Sequence, residues 1–486
     1  MNTPQPHGQA PVLDAAAAQA QIDAQWDGDI LQQLTEYIRI PAKSPAFDPD
    51  WAKNGHIDQV VKNAADWARA QDVPGLTLEI LQDAGRTPLI FFEVAGTRPE
   101  SAQTALIYGH LDKQPEFSGW HEGLGPWTPK YMDGRLYGRG GADDGYAVYA
   151  AIAALQVLKA QGKPHPRIVG LIEASEESGS PDLLPYIQKL GDRLGDVGLV
   201  VCLDSGAGNY ERLWLTTNLR GMGGGTLQVE ILTEGVHSGD ASGLVPGTFR
   251  ILRQLLDRLE DSATGRLLPE TLHCDIPQER LEEARTTAQI LADQLFAGYQ
   301  WVKNEQGQAA QPATPDVTEA LLARTWRPTL TVTGADGLPA VRDAGNVLRP
   351  ATALKLSFRL PPLVDAGAAM QQVKQLLEAD PPYQARVSFS GGEGATGWNA
   401  PATAPWFAQA LDTASNAFFG LPCGRIGQGG TIPLMGQLSR GFPESQMMVC
   451  GVLGPGSNAH GPNEFLHVPY AKKLTACVAE VLARMP

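Results

Sequence analysis

Cysteine is scarce: five residues in a chain of 486, with no Cys-x-x-Cys pair. Cys202, Cys274, Cys423, Cys450 and Cys477 are odd in number and lie mostly in apolar contexts, so they read as reduced core thiols in a cytoplasmic compartment. No run of about 18 apolar residues occurs, so no membrane span is expected. Met1 to Pro11 has neither a Lys/Arg start nor an apolar segment, and no secretory signal is read there. Basic residues are outnumbered, 38 Lys and Arg against 53 Asp and Glu, for a formal charge of -15. Both signs are interspersed, which suits solubility and argues against a nucleic-acid partner, because that needs basic stripes. The glycine cluster Gly138 to Gly145 lacks the Gly-Lys-Ser/Thr ending of a phosphate loop.

What is present is enough chain for two domains and an ordinary apolar content. Residues 1 to about 14 read as disordered. Ala15 to Ala20 opens an N-terminal helix, and apolar periodicity continues it from Ile22 to Ile40, before Pro41. Another helix is expected from His56 to Ala70. Apolar runs predict strands at Leu76–Leu81, Leu89–Val94, 104–110, 167–172 and 197–203, with a helix over 146–159. This is an α/β pattern: a mostly parallel-sheet catalytic domain flanked by helices. From about Asn218 the character changes. Strands near 220–232, 329–333, 353–359 and 385–389, with helices over 248–259 and 366–378, make a smaller inserted α+β module of ferredoxin-like flavour. The expected division is 1–217 and 393–486 for the catalytic domain and 218–392 for the smaller one, with a polar insertion near 260–327.

The chemistry gathers where apolar strands end. One ends in His110-Leu-Asp112, one runs into Glu176-Glu177, and one ends in Asp204. Parallel strands joined by helices bring such ends together. Asp143 and Asp144 precede the 146–159 helix. Asp144 is placed to cap it, and Asp143 is freer to turn inward. With His460, the cleft collects two imidazoles and several carboxylates but no thiolate. That donor set suits a hydrolytic zinc, cobalt or manganese centre. Adjacent carboxylates at 176 and 177 allow a division of labour, one binding metal and the other handling protons. Asp112 is placed to hold the second ring nitrogen of His110.

Taken together, His110-Leu-Asp112-Lys-Gln114-Pro115, Gly138-Arg139-Gly140 with Asp143-Asp144, Glu176-Glu177-Ser-Gly179, Asp204, His237-Ser-Gly239 and His460 follow one another in a specific order. The chain resembles the dinuclear zinc metallopeptidase family containing carnosinase-type dipeptidases, aminoacylase, glutamate carboxypeptidase and succinyl-diaminopimelate desuccinylase. The resemblance covers nearly all of it. It implies two divalent ions, Zn2+ foremost, with Mn2+ or Co2+ as alternatives. His110, a bridging Asp143 and Asp204 would hold one; Asp143, Glu177 and His460 would hold the other. It implies Glu176 as general base and then acid toward a metal-activated water, with Asp112 orienting His110. It implies a cis peptide after Asp143, a homodimer formed through the smaller lid domain, and His237 reaching across that dimer to the scissile carbonyl. Asn346, Arg359 and Thr431 resemble substrate-binding positions, with Arg359 taking a substrate carboxylate. The family carries Lys-Gly after the Asp-Asp pair; this chain has Gly145-Tyr146.

The expected activity is therefore hydrolysis of an amide bond in a small peptide, of dipeptidase or carboxypeptidase type. The alternative is removal of an acetyl or succinyl group from an N-acyl amino acid. A non-catalytic binding module on the same fold is a remote reading. Glycoside hydrolysis fails, because adjacent glutamates do not flank a sugar bond from both sides.

Overall fold

Two sheets of different character organise the chain. The computed structural model describes residues 10–292, 294–430 and 433–486. The larger sheet has six strands in the spatial order Leu76–Leu81, Leu89–Val94, Arg167–Glu173, Gln103–His110, Asp196–Cys202 and Gln446–Val449. The last four pair in parallel, and the first two join antiparallel. Successive side chains of a strand point to opposite faces. Ile107, Ile168, Ile172 and Val201 therefore enter one core with the helices Ala147–Ala160 and Val468–Arg484. Leu106, Tyr108, Val169, Leu171 and Val200 enter a second core with the helix Leu183–Leu190. Burial on both faces accounts for the near-continuous apolar runs. The three central strands are in parallel register, with His110 opposite Glu173 and Tyr108 opposite Cys202. Whatever follows each strand thus emerges at the same edge of the sheet.

The second sheet is antiparallel, in the order Thr329–Asp336, Ala351–Leu360, Gly221–Glu230, Arg386–Ala395. Leu227, Val229, Leu356 and Phe358 pack against Ile251, Leu255, Met370 and Val373 from the helices Thr248–Leu256 and Ala366–Glu378. The whole is a mixed α/β fold.

Within the polar stretch 260–327, Leu267 and Leu272 join the core of this second sheet, whereas the part from Gln278 onward docks elsewhere. Its helix Gln278–Leu291 carries Arg280, which is buried and donates from Nε to Asn399 Oδ1 at 2.9 Å and from Nη2 to the Ala400 carbonyl at 2.9 Å. Thr217 Oγ1 donates to Glu283 Oε2 at 2.8 Å. Leu291 and Leu321 join the first core. The segment looks polar in sequence because only a few of its anchors are apolar and the others are hydrogen-bonded.

The expected disorder to about residue 14 needs correction. Residues 1–9 lie outside the described residues, but the Val12 and Leu13 amides donate to the Glu480 carboxylate at 2.8 and 2.9 Å, and Leu13 is buried. Asp14 caps the helix Ala15–Gln25, accepting from the Ala17 amide. The sequence signal was weak because the partner, Glu480, lies at the opposite end of the chain. All five cysteines are free. Among the described residues no helix is long and apolar enough to cross a membrane.

Candidate metal centre and active site

His110 ends its strand fully buried, with Nε2 3.3 Å from Asp143 Oδ1 and 3.8 Å from Asp204 Oδ2. His460 Nε2 lies 3.0 Å from the other oxygen of Asp143 and 3.4 Å from Glu177 Oε2. Two donor groups result, His110 with Asp143 and Asp204, and Asp143 with Glu177 and His460. In each, the ligand atoms lie within 4.8 Å of one another. Asp143 belongs to both and offers one oxygen to each histidine. An all-nitrogen-and-oxygen set with a shared carboxylate fits divalent ions of the zinc, manganese and cobalt kind.

Asp112 is fully buried behind this centre and does more than face His110. His110 Nδ1 is 3.4 Å from Asp112 Oδ1 and 3.2 Å from the Asp112 carbonyl. The same carboxylate accepts the backbone amides of Glu176 at 3.1 Å and Glu177 at 3.0 Å. One side chain therefore sets both the imidazole and the turn that carries the paired glutamates. Gln114 Nε2 donates to Glu177 Oε2 at 2.6 Å. Asp143, Glu176, Glu177, Asp204, Arg359 and His460 line a common cleft of about 650 Å³.

The model of peptidase family M20/M25/M40 matches residues 106–484, most of the chain and all of the donor residues. The chain belongs to this peptidase family. It is 28% identical over 466 residues to the cysteinylglycine-S-conjugate dipeptidase of Corynebacterium striatum, covering 91% of this chain and 94% of that one. It is 27% identical over 459 residues to the Beta-Ala-His dipeptidase of Mus musculus, covering 91% and 90%. Its fold is similar to that of human carnosine dipeptidase 1, with TM-score 0.75 and 23% identity, over 98% of this chain and 100% of that one.

Electrostatics in the peptidase's cleft follow from burying many acids together. Burial raises Glu176, Glu177 and Asp204; the neighbouring Asp204 charge adds to it for Glu176, and that of Asp143 for Glu177 and Asp204. Asp204 is pushed up to about 7. Burial acts the same way on Asp143, but hydrogen bonds to His110 and His460 outweigh it and hold its carboxyl well down. Burial would lower His110; Asp112, Asp143 and Asp204 overcome that and raise it. A carboxylate-rich pocket that retains protons is one in which a cation replaces protons, so ion binding at these donors weakens as pH falls.

Glu173, at the end of the neighbouring strand, shapes the same turn. It accepts from Tyr108 Oη and Ser180 Oγ at 2.7 Å each and from Ser175 Oγ at 3.2 Å, so its carboxylate ties both ends of the segment that holds Glu176 and Glu177. Burial, helped by the Asp112 charge, pushes it up to about 7. In the unfolded chain a Glu titrates near about 4.3. Between these values the folded state keeps a proton that the unfolded state has released. The stability this group contributes is complete below the lower value and lost as pH rises through about 7. Glu173→Gln should remove that slope. Its melting temperature is expected to gain on the parent between about pH 5 and about pH 8, by the equivalent of up to ~3 kcal/mol. A difference that stays constant across that range would contradict this.

The glycine-rich segment of the peptidase departs from the family pattern for a steric reason. The peptide between Asp143 and Asp144 is cis. At Gly145 a Cβ would come 2.2 Å from the Tyr37 ring, so no lysine fits there. Lys113 is buried beside the same ring, with Nζ 3.8 Å from the centre of the Tyr37 ring and donating to the carbonyls of Tyr37 and Ile40 at 2.6 and 2.8 Å. Asp144 does not cap the following helix. It is fully buried, and neither oxygen has a hydrogen-bond partner among the described residues.

Not every expected residue meets at the cleft. His237 lies on the short two-stranded sheet, and Asn346 immediately precedes its other strand, Val347–Leu348. His237 pairs with Val347, and the Ser238 amide donates to the Asn346 carbonyl at 2.9 Å. Both are exposed and neither lines the cleft. Thr431 lies outside the described residues. Conversely, the sequence assigned no role to Gln114, Arg139, Glu173 or Glu464. The available signals were Gln114 beside the His-x-Asp motif and Glu173 closing an apolar strand.

Proposed function

We propose that this peptidase is a dinuclear metal-dependent dipeptidase. His110, Asp143 and Asp204 hold one divalent ion, and Asp143, Glu177 and His460 hold a second, with zinc foremost and manganese or cobalt suited to the same donors. The observation that carries this reading is Asp143, whose two oxygens face two histidines at the floor of a cleft that also contains Glu176. Ions bound there supply Lewis acidity toward a water and a carbonyl oxygen. Glu176 takes a proton from the attacking water and returns it to the leaving amine. Its raised affinity for protons matches that double duty. Asp112 fixes the imidazole of His110 and, through two amides, the position of Glu176. Arg359 pairs with a substrate carboxylate in the cleft, with Thr431 as a further substrate contact; Asn346, beside His237 and outside this cleft, would reach substrate only in the cleft of a second copy.

Residues 218–392 form, in this reading, a ferredoxin-like lid that also makes a homodimer, and 1–217 with 393–486 form the catalytic domain. Exposed Leu244, Val332, Val341 and Val347 on the smaller module support an apolar contact with a second copy. Dimerisation would let His237 of one copy stabilise charge on the carbonyl oxygen in the cleft of the other. Five free cysteines suit a cytoplasmic setting.

The relatives named for cysteinylglycine conjugates and for Beta-Ala-His support dipeptides as the substrate class without choosing a side chain. The alternative is deacylation of N-acyl amino acids. Assaying a dipeptide panel beside N-acetyl and N-succinyl amino acids separates the two. Dipeptides are expected to lead in kcat/KM by at least about tenfold, ~1.4 kcal/mol of barrier. The opposite ranking would favour the deacylase.

A further inference from the structure

His460 is the least self-supported of the donor residues. Its side chain is 55% exposed, whereas those of Asp143 and Glu177 are 6% and 4%. Its backbone lies in the left-handed region at φ 63°, as do Asn458 at 54° and Asn463 at 62° in the same segment. Such conformations are strained for non-glycine residues and persist only where surrounding contacts over-determine them. Local bonds close the segment on itself, from the Gly461 amide to the Asn458 carbonyl and from the Phe465 amide to the Ser457 carbonyl. Asn463 ties it to residues 119 and 121. None of these fixes it against the segment bearing Asp143.

That link is made by Glu464 and Arg139, both buried. Arg139 forms an ion pair with Glu464 Oε2 and donates from Nη2 to the Gly461 carbonyl at 2.8 Å. The Gly140 amide donates to Glu464 Oε1 at 2.9 Å, and the Gly138 amide to the Glu464 carbonyl at 3.0 Å. Arg139 is itself fixed, with Nε donating to the Pro115 carbonyl at 3.2 Å and its amide to that of Pro126 at 2.9 Å. The bonds span 325 residues of sequence and join the segment just before Asp143 to the one just after His460.

We propose that Glu464 is a positioning residue for one half of the metal centre: through Arg139 and the Gly140 amide it holds His460 in register with Asp143 and Glu177. The inference rests on the dinuclear reading above and adds an asymmetry to it. His110 and Asp204 stand at the ends of adjacent parallel strands, so two of the three donors of their group, all but the shared Asp143, are placed without the brace. The group containing His460 depends on it.

The test is metal titration of the full-length protein with Zn2+ or Mn2+ by calorimetry, with bound ion counted after gel filtration, for the parent and Glu464→Gln. The substitution keeps an acceptor for the Gly140 amide but removes the charge that Arg139 grips. One ion should bind as in the parent, and the other should weaken by about 10–100-fold, the range for residues that support a ligand. Both ions unchanged, or both weakened equally alongside a lowered melting temperature, would overturn the proposal. Should Glu464→Gln not fold, Arg139→Lys retains a charge pair without the two-pronged grip. It is expected to weaken the same single ion by a smaller factor, and an unselective loss would again overturn the proposal. A parent protein that takes up no pair of ions would instead contradict the dinuclear reading itself.

Discussion

Glu176→Gln is expected to lower kcat by about 10⁴-fold, the upper range for a positioned acid–base group, while metal content stays at the parent level. Glutamine keeps the size and polarity of the side chain but cannot accept or return a proton. Glu176 belongs to neither donor group, so its carboxylate is not needed to hold an ion. Its amide, bonded to Asp112, is unaffected by the change. The proton load of Glu176 comes from burial and from Asp204, so an acid–base role also predicts that activity falls as pH drops and the carboxylate stays protonated. Retention of more than about a hundredth of the activity in Glu176→Gln would remove it from the proton-transfer role.

Asp143→Ala should have an effect of the same order for a different reason. Asp143 is the one residue common to both donor groups, and its carboxylate stays ionised because two imidazoles face it. Its loss leaves two donors on each side, fewer than the three protein ligands usual for such ions. Both ions should be lost together, and kcat/KM should drop by at least about 10³-fold, ~4 kcal/mol of barrier. Excess metal should not restore it. The comparison with Asp204→Ala is informative, because that residue serves only the His110 group. If Asp143→Ala retains one ion at parental affinity, Asp143 is not shared.

Most of the donor set was legible because each member terminates or follows an element with a strong apolar signal. His110 closes one buried parallel strand, Glu177 and Asp204 follow two others within a few residues, and the physics of such sheets brings those ends to one edge. Asp143 precedes a helix whose fourteen residues are nearly all small or apolar. His460 has no such marker. Its segment is irregular, and only the resemblance singled it out. Asp112 was legible as the partner of His110, but its grip on the Glu176 and Glu177 amides was not, because backbone donors carry no sequence signature. The same holds for Glu464, whose donors lie more than 320 residues away. The smaller module reads well in its strands, where burial alternates along Gly221–Glu230. The 260–327 stretch did not, because Arg280 and Glu283 dock it through polar contacts that resemble solvated surface.

The most direct test is anomalous diffraction from crystals of the metal-reconstituted protein. Two peaks about 4 Å apart are expected, one bounded by His110 and Asp204, the other by Glu177 and His460, with an oxygen of Asp143 on each. A single peak, or ions bound away from these side chains, would contradict the account.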